Sequence, residues 1–555
     1  MKKFANYLLI FAALALSCSP KESKKNEGGG EVMKRYEDVV PAPRAFDGNK
    51  QADITYQLLV YSFADSNNDG WGDINGIIQH LDYLDAMGAS ALWLSPIHPS
   101  DSYHGYDVQD YSAIHPKLGT EADFANLIAE AHKRKIKIYL DYVLNHSGTG
   151  NAWFKSASAS KTSPYRSYYV FSDNPGSDIS AGLIPSLSSY DSNKWYKSAS
   201  GSYYYGAFWG GMPDLNYGPL SSVESNATFN ALASSAEKWI KMGVDGLRLD
   251  AVLYLYEKDA PASNAAFLGK WYDRCNSYYR AAGHTDDIYM VGEAWTGTDV
   301  MAQYYKGLPA LFDFEYWNRL SWGINNSTGR YLAKDIMDIR DACRAVRSDF
   351  IEATKLTNHD QTRVATVFGK SLEKEKLAAC VLLTSPGKPY VYQGEELGYW
   401  GKIGSEGGAD EQVRTPVKWT KSGKVPSSWT SASNIDNSML TADISVEAQE
   451  ADKASLLNVY KAFAQLRNSY PALAAGEISA HSKYNSSNSS DSSIACWYMT
   501  SGSQKVLVVH NFGSSVVTMD LSGDKLTEPI ALNGSAKVKG GNLQIGAYSS
   551  VVFLQ

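Results

Sequence analysis

From residue 54 onward, short apolar runs alternate with amphipathic stretches of helical period, and this alternation limits the possible folds more than any other feature. Such alternation is typical of a parallel sheet with its helices outside it. Helices are predicted at 74–87, 121–133 and 225–241. Strands are predicted at 54–63, 91–95, 136–143, 244–252, 288–294, 311–314, 351–356 and 389–393. Eight strands favour a (β/α)8 TIM barrel, an α/β fold whose functional side chains lie at the C-terminal ends of the strands.

Two segments depart from this pattern. Residues 147–219 are rich in Ser, Tyr, Gly and Asn without a helical period, and we expect an inserted domain B after the third strand. After a predicted helix at 451–468, short alternating runs at 493–499, 505–511, 515–521 and 547–554 predict a C-terminal antiparallel β-sandwich, domain C, over 471–555. The catalytic barrel, domain A, is then formed by residues 46–146 and 220–470.

The N-terminus reads as an export signal. Met1-Lys2-Lys3 precedes an apolar stretch from Tyr7 to Leu16, which is too short for a permanent transmembrane helix. Residues 16–19, Leu-Ser-Cys-Ser, resemble a bacterial lipobox, in which Cys18 would be lipidated and would become the mature N-terminus. An ordinary secretory peptide ending near residue 18 is the alternative. Residues 19–45 lack apolar periodicity and predict a flexible tether that holds the protein off a membrane.

The composition sets broad limits on partners. The chain has 555 residues, of which 44% are apolar and 20% charged, as in soluble globular proteins of more than one domain. Its formal charge of -7 gives no reason to expect nucleic acid as a partner, whereas a neutral polymer such as a glucan would fit. The cysteines at 275, 343, 380 and 496 show no metal-ligand spacing and are expected to be buried thiols, although a disulfide stays possible.

Carboxylates at predicted strand ends are the candidate catalytic groups. Arg248 and Asp250 point to the same face of one strand, so the arginine can keep the aspartate ionised, as a nucleophile requires. A structural ion pair is the alternative. Glu293 follows the apolar residues 288–291, where desolvation raises a carboxyl pKa and suits an acid/base catalyst. Asp360 ends the stretch Thr-Asn-His-Asp at 357–360 as a third carboxylate at the same mouth.

The order of these motifs and the residues within them resemble those of the α-amylase family. The stretches 105–108, 141–146, 214–217, 246–252, 307–312, 322–329 and 392–398 look most like lipid-anchored α-amylases of starch-utilization systems, although without an inserted starch-binding module. The resemblance covers about residues 50–555 and implies a (β/α)8 barrel with domains B and C. It makes Asp250 the nucleophile, Glu293 the acid/base and Asp360 the stabiliser of the distorted sugar at subsite -1.

The same resemblance implies substrate-binding residues around that sugar. Tyr106 would stack on it, and His146 and His359 would donate to its hydroxyls beside Arg248. Asp107 and Arg363 could pair across the end of subsite -1, as happens in exo-acting relatives, which leaves endo or exo cleavage open.

Two calcium sites are expected. Residues 65–73 place oxygen ligands at Asp65, Asn67, Asp69 and Asp73, with the carbonyl of Trp71 between them, as at the front of an EF-hand loop. A second site, with Asn145, Asp214 and a carbonyl near Tyr254, is implied only by the family resemblance. Both ions would be structural because the carboxylates already supply nucleophile and acid/base.

The sequence therefore predicts a retaining, endo-acting α-amylase that hydrolyses α-1,4 bonds of starch and maltooligosaccharides. An α-glucosidase or a neopullulanase-like enzyme of the same family is the alternative, and a non-catalytic glycan-binding protein is a remote one because all three carboxylates are present. One departure from the family concerns Leu253-Tyr254, which stand where many α-amylases have Lys-His. We further expect a monomeric lipoprotein at the outer membrane, exposed at the surface, where other glycan-uptake proteins are candidate partners.

Overall fold

The computed structural model describes residues 53–181, 194–256, 261–404, 409–489 and 491–555, together with the backbone of Lys34–Glu37. The predicted lipidation site Cys18 and most of the predicted tether lie outside these residues. None of the described helices is long and apolar enough to cross a bilayer.

Eight parallel strands close into a barrel, which confirms the predicted fold class. In chain order the first to eighth barrel strands are Thr55–Leu58, Ala91–Leu94, Lys137–Tyr142, Gly246–Leu249, Tyr289–Gly292, Ala310–Asp313, Ile351–Lys355 and Lys388–Tyr392. The eighth strand closes the barrel by pairing with the first, with Tyr390 opposite Thr55. Parallel pairing throughout brings the C-terminal ends of all eight strands to one mouth.

Helices surround the barrel and connect its strands. Those of the barrel and its approach to domain C are Val60–Phe63, Ile74–Gln79, Leu81–Ala86, Glu121–Lys133, Ala227–Met242, Pro261–Ala281, Thr298–Gln303, Phe314–Asn325, Leu332–Val346, Val364–Val367, Leu372–Thr384, Val446–Ala451, Leu456–Ser469 and Pro471–Ala475. The helix Ala227–Met242 shows how local sequence sets such bounds. Asn226 caps its first turn through the N–H groups of Thr228 and Phe229, and Gly243 ends it with a φ of 114°.

Two element predictions were wrong in extent. The first strand ends at Leu58, and Val60–Phe63 form a helical turn, because a fully buried run does not reveal its backbone period. The helix predicted over 74–87 is divided at His80, whose ring stacks on Trp419 at a centroid distance of 3.5 Å. A contact between residues so far apart in sequence leaves no mark in local periodicity.

Aromatic side chains fill the barrel interior beneath the mouth. The rings of Trp93 and Phe312 lie 5.2 Å apart, and Phe312 contacts Tyr390 at 4.9 Å. All three are buried. The Trp93 indole donates to Asp141 Oδ2 over 3.0 Å, so this layer carries the first carboxylate of the mouth.

Domain B follows the third strand, as predicted. It contains the helices Ala152–Ala159 and Pro175–Ser180 and a three-stranded sheet of Phe171–Ser172, Trp195–Lys197 and Tyr203–Tyr205. These helices form although the sequence shows no helical period in this segment. Asn151 caps the first helix through Trp153 N–H, and the Ala/Ser-rich helix has too few apolar residues to show a period. Leu215 N–H donates to the carbonyl of Asn145, which fastens the domain to the barrel.

Domain C is built from two antiparallel sheets that share a buried core. One sheet contains Glu477–Ala480, Ile494–Ser501, Gln504–Asn511, Ser550–Leu554 and Ala531–Asn533, and the other contains Lys34–Glu37, Ser535–Lys539, Asn542–Ile545 and Val517–Asp520. All four β runs predicted here are strands. The tether prediction was wrong for Lys34–Glu37, whose backbone pairs with Ser535–Val538 at the sheet edge. The four described cysteines are buried and form no disulfide, as expected.

Candidate active site

Arg248 is the central cation of the barrel mouth. It is fully buried at the end of the fourth strand, where its guanidinium contacts three carboxylates. Nη1 lies 2.9 Å from Asp141 Oδ1 and 2.8 Å from Asp250 Oδ1, and Nη2 lies 2.8 Å from Glu293 Oε2. The prediction that Arg248 and Asp250 share one face of their strand is confirmed by this contact.

Asp141 is a functional residue to which sequence reasoning assigned no role. It is completely buried and accepts from Arg248, from the Trp93 indole and, over 3.0 Å, from the Tyr106 hydroxyl. Burial raises its pKa to about 6 against the attraction of Arg248. Its place at the head of the motif 141–146 was the available signal, since it is the penultimate residue of the third strand and Asp250 directly follows the fourth.

Asp250 and Glu293 are two further carboxylates of the mouth. Each is 9% exposed, and both line the same cleft. Burial raises the pKa of Asp250 to about 7, opposed by Arg248, and burial likewise raises the pKa of Glu293 to about 7. Between them Ala251 adopts a left-handed φ of 49°, a costly conformation for alanine that directs its N–H toward Glu293 Oε2 at 3.4 Å.

Asp360 is paired with Arg414, a residue that the sequence analysis did not identify. Arg414 Nη2 lies 2.8 Å from Asp360 Oδ1, while its Nη1 donates to the Tyr103 hydroxyl over 2.9 Å. Burial would raise the pKa of Asp360, but His359, Arg414 and Arg248 hold it below its usual value. Asp360 is therefore the carboxylate of this group that stays ionised most firmly. Arg414 lies 54 residues from Asp360 in sequence, and the residues around it show no pattern that would predict this contact.

The predicted pair of Asp107 and Arg363 does not form. Asp107 accepts from the backbone N–H groups of Asp101 and Ser102 and from the Ser102 hydroxyl, so it stabilises its own turn. Arg363 is buried, donates to the carbonyl of Gln393 over 2.6 Å and lies 4.3 Å above the ring of Tyr392. Asp107 thus stabilises its own turn, and Arg363 is directed toward Gln393 and Tyr392 rather than toward Asp107.

Tyr106 and His146 line the cleft as predicted, together with His104, which had been given no role. His359 does not line it. It is buried behind Tyr106, with the two rings stacked at 5.5 Å, and its Nε2 lies 3.0 Å from Asp360 Oδ2. The amide of Gln57 donates to its Nδ1, so the proton of the neutral ring is on Nε2. Burial lowers the pKa of His359 to about 3, which makes it a neutral support for Tyr106 and Asp360.

Aromatic side chains form the walls of the cleft, which encloses about 680 Å³. Phe208 and Trp209 of domain B are 37% and 55% exposed, and Trp295 of the barrel is 50% exposed. Domain B therefore forms one wall of the cleft. Leu253 and Tyr254 also line the cleft, and the ring of Tyr254 lies 5.0 Å from that of Phe208.

The predicted calcium loop is held in shape by its own backbone. Asp65 accepts from the N–H groups of Asn67, Asn68 and Gly70, and Asn67 and Asp69 each accept from the residue two positions on. Asp69 also pairs with Lys117 at 3.0 Å. Asp73 differs, because its carboxylate caps the helix Ile74–Gln79 and binds Ser66. The carboxylate and amide oxygens of Asp65, Asn67 and Asp69 are ligands of the kind that suits a hard cation.

The second predicted site lies where domain B joins the barrel. Asp214 is 4% exposed, accepts from Ala207 N–H over 2.9 Å and interacts with the side chain of Asn145. Burial raises its pKa to about 8. A buried carboxylate beside an amide oxygen suits a cation chemically, and Tyr254 approaches the same crevice. Among the described residues, however, no three His, Cys, Asp or Glu side chains converge as a metal cluster.

Comparisons with known proteins bear on this geometry. Residues 57–476 match the family model of the α-amylase catalytic domain, and residues 494–552 match that of the α-amylase SusG C-terminal domain. The chain is 38% identical to α-amylase SusG of Bacteroides thetaiotaomicron over 99% of its own length and 98% of that protein. It is 36% identical to α-amylase 3 of Dictyoglomus thermophilum, covering 90% and 92% of the two chains. The solved α-amylase from H. orenii superposes with a TM-score of 0.75 at 30% identity, over 91% of this chain and 99% of that one.

Proposed function

This chain belongs to the α-amylase family of glycoside hydrolases, and from that premise we propose that it cleaves internal α-1,4 bonds of starch and maltooligosaccharides with retention of configuration. The observation that carries the proposal is the set of carboxylates around Arg248. Asp250 and Glu293 both face the cleft while sharing one guanidinium, and Asp360 faces it from the opposite side with Arg414.

The charges of the site explain how one acid keeps its proton. Asp141, Asp250, Glu293 and Asp360 together carry four negative charges when ionised, opposed by Arg248, Arg414 and, behind them, Lys355. A buried excess of negative charge favours retention of a proton on one carboxyl group. We assign that proton to Glu293, because Asp360 has a lowered pKa and Asp250 accepts a hydrogen bond from Arg248 Nη1, which favours its ionised form. Among the described residues, Glu293 accepts only a long hydrogen bond from Ala251 N–H.

The reaction then proceeds in two displacements. Asp250 attacks the anomeric carbon of the -1 sugar while Glu293 donates its proton to the departing glycosidic oxygen, which leaves a glycosyl ester on Asp250. Glu293, now ionised, removes a proton from water, and the water oxygen attacks the same carbon and releases Asp250. Ionised Asp360 stabilises the positive charge that develops on the sugar in both steps, and Tyr106 offers its ring face to that sugar.

Internal cleavage is supported by the open cleft between Trp209 and Trp295 and by the missing contact between Asp107 and Arg363. A specific observation favours the second candidate, an exo-acting α-glucosidase. Arg414, bridged to Tyr103 and Asp360, occupies one end of the cleft and could limit how far a chain extends beyond subsite -1.

We expect early digests of amylose to contain a mixture of maltooligosaccharides, because an open cleft admits a chain at internal positions. Chromatography of products at a few per cent conversion measures this, with Asp250→Asn as the inactive control. Glucose as the sole early product would instead establish exo cleavage. Release of panose-sized products from pullulan would favour the neopullulanase-like alternative.

We also propose that the loop of Asp65, Asn67 and Asp69 binds a structural Ca²⁺, and that Asn145 and Asp214 hold a second one near Tyr254. Calcium would supply positive charge that holds these loops to the barrel and would take no part in bond cleavage. Asp73 would act by capping the adjacent helix, and the carbonyl of Trp71 completes the loop.

Chelation with EDTA is therefore expected to lower the melting temperature, and added Ca²⁺ to restore it, because a ligand bound only to the folded state stabilises it. Scanning calorimetry measures the shift. Asp65→Ala and Asp214→Asn should each reduce the shift in melting temperature that EDTA causes. Asp82→Ala, at an exposed carboxylate outside both sites, should leave that shift unchanged. An unchanged melting temperature in EDTA would rule out both ions.

We further propose that Cys18 carries a lipid that anchors the enzyme in the outer membrane, facing outward, where it could contact other glycan-uptake proteins. The export signal and lipobox of the sequence support this proposal. Cys18→Ser is expected to move the enzyme from the membrane fraction to the soluble fraction of expressing cells, as followed by immunoblot. Protease treatment of intact cells then distinguishes the outer from the periplasmic face. A variant that stays in the membrane fraction contradicts the anchor.

A further inference from the structure

A buried lysine lies behind one aromatic wall of the cleft. Trp295, two residues after Glu293, exposes half of its indole to the cleft. The ring of Phe314 stacks on it at a centroid distance of 4.7 Å and an angle of 10°. Lys355, the last residue of the seventh strand, places Nζ 3.8 Å from the centre of the Phe314 ring. Because the indole fills one face of Phe314, the ammonium must occupy the other.

The same ammonium contacts the turn that carries Asp360. Lys355 is 1% exposed, and its Nζ donates to Gln361 Oε1 over 2.5 Å, at the residue that directly follows Asp360. One side chain thus touches both the aromatic pair on the Glu293 side and the turn on the Asp360 side. A desolvated ammonium against an aromatic face is stabilised by cation–π attraction. Movement of either wall would cost that contact.

The position of Trp295 indicates which sugar it meets. A general acid must reach the oxygen that joins the -1 sugar to its leaving group. Tyr106 and Asp360, which face the -1 sugar, have their own supports in His359 and Arg414. Trp295 follows the acid on the same loop and presents a bare aromatic face, which suits the C–H face of a pyranose.

We propose that Lys355 is a positioning residue that acts through Phe314 and Gln361. It holds Trp295, as the aromatic platform for the leaving-group sugar, and the Asp360 turn in a fixed relation. The proposal rests on the proposed function, because it needs an α-glucan chain with a sugar on the leaving-group side.

Two substrates separate this subsite from the chemistry at subsite -1. Maltopentaose fills the leaving-group side with sugar. α-Maltosyl fluoride does not, because fluoride departs as an ion and water replaces it at the anomeric carbon. Trp295→Ala is expected to lower kcat/KM for maltopentaose by roughly 10- to 100-fold, the range for losing one aromatic face. The value for the fluoride should change by less than about 3-fold, because its leaving group does not reach the indole.

Lys355→Met should lower kcat/KM for maltopentaose more than for the fluoride. Lys355→Arg should keep the ratio of these two kcat/KM values close to that of the wild type, because a guanidinium can also stack on Phe314. Lys388→Met is the matched control. Lys388 is equally buried and lies 4.0 Å above Tyr289, but it begins the eighth strand at the opposite end of the barrel. Its replacement should leave the ratio of the two kcat/KM values unchanged.

Equal losses on both substrates in Trp295→Ala, or no loss on either, would overturn the platform. If the ratio of the two kcat/KM values is the same in Lys355→Met as in Lys388→Met, Lys355 has only a structural role and does not position the platform. If Lys355→Met does not fold, Trp295→Ala still decides the subsite, because its side chain is half exposed. A wild-type protein inactive on both substrates would instead refute the proposed function itself.

Discussion

Asp250→Asn is expected to lower kcat on maltooligosaccharides by about 10⁴-fold or more, because the amide cannot form the glycosyl ester on which both displacements depend. The fold should be kept, since asparagine has nearly the same volume and still accepts a hydrogen bond from Arg248. Steady-state rates on maltopentaose, together with a melting curve for each variant, measure the effect.

Asp245→Asn is the matched control for this change. Asp245 immediately precedes the fourth strand, so it lies at the other end of the barrel, where it binds His132 and the N–H of Ile138. Its variant should turn over at nearly the normal rate below its melting temperature. Turnover within tenfold of wild type by Asp250→Asn would remove Asp250 from the role of nucleophile.

Glu293→Gln tests the other role in the same assay. It should lose maltopentaose hydrolysis to a comparable extent but keep formation of the glycosyl ester from α-maltosyl fluoride, because fluoride needs no proton to leave. Rapid release of fluoride in the first turnover separates an acid from a nucleophile, and Asp250→Asn should not show it.

Arg248→Met is expected to lower the free energy of unfolding by about 3–5 kcal/mol near neutral pH, because it leaves buried carboxylates without their shared cation. Asp141 loses its ion-pair partner completely, and Asp250 and Glu293 lose theirs. Denaturant unfolding followed by tryptophan fluorescence measures the loss, and kcat should fall as well.

The loss should grow as the pH rises. Burial already raises the folded-state pKa values of Asp141, Asp250 and Glu293 above those of the unfolded chain, and removing Arg248 raises them further. Between about pH 5 and 8 the folded variant then binds more protons than the unfolded chain, so its stability falls by about 1.4 kcal/mol per pH unit for each extra proton. The variant should be closest to wild type at pH 5.

Arg467→Met provides the comparison for this pH dependence. Arg467 is also fully buried, but it donates to the carbonyls of Leu383, Ser385 and Gly387 and contacts no carboxylate among the residues that the structure describes. Its variant should be destabilised with little change in that loss between pH 5 and 8. If Arg248→Met shows the same flat profile, the shared-charge account of the site is wrong.

The barrel strands were predictable because each is a short, almost wholly buried run, although the sequence does not mark where the first of them ends. Strand order and parallel pairing then place Asp250, Glu293 and Asp360 at one mouth without further information. Asp65 and its loop were visible for a similar reason, since their spacing is local. Breaks such as the one at His80 were not, because the stacking partner Trp419 is far away in sequence.

Pairing between side chains is where prediction and structure diverged. Asp107 and Arg363 carry opposite charges on loops that the barrel brings to one end, yet Asp107 accepts from its own turn and Arg363 donates to the carbonyl of Gln393. Arg414 instead approaches Asp360 from a loop beyond the eighth strand. His359 was expected to contact substrate, but packing placed Tyr106 in front of it. These outcomes depend on rotamers and on competing hydrogen bonds, which residue spacing does not encode.

The sequence by itself determined the fold class and the family, and it placed the three candidate catalytic carboxylates at one mouth, because these depend on periodicity and on short contiguous motifs at strand ends. The tertiary structure alone decided which cation serves which carboxylate, that Asp141 shares Arg248, and that Lys355 supports Trp295 through Phe314. Such relations arise between residues tens to hundreds of positions apart. Their energies depend on burial and on distances of about 3 Å, and only the packed barrel establishes both.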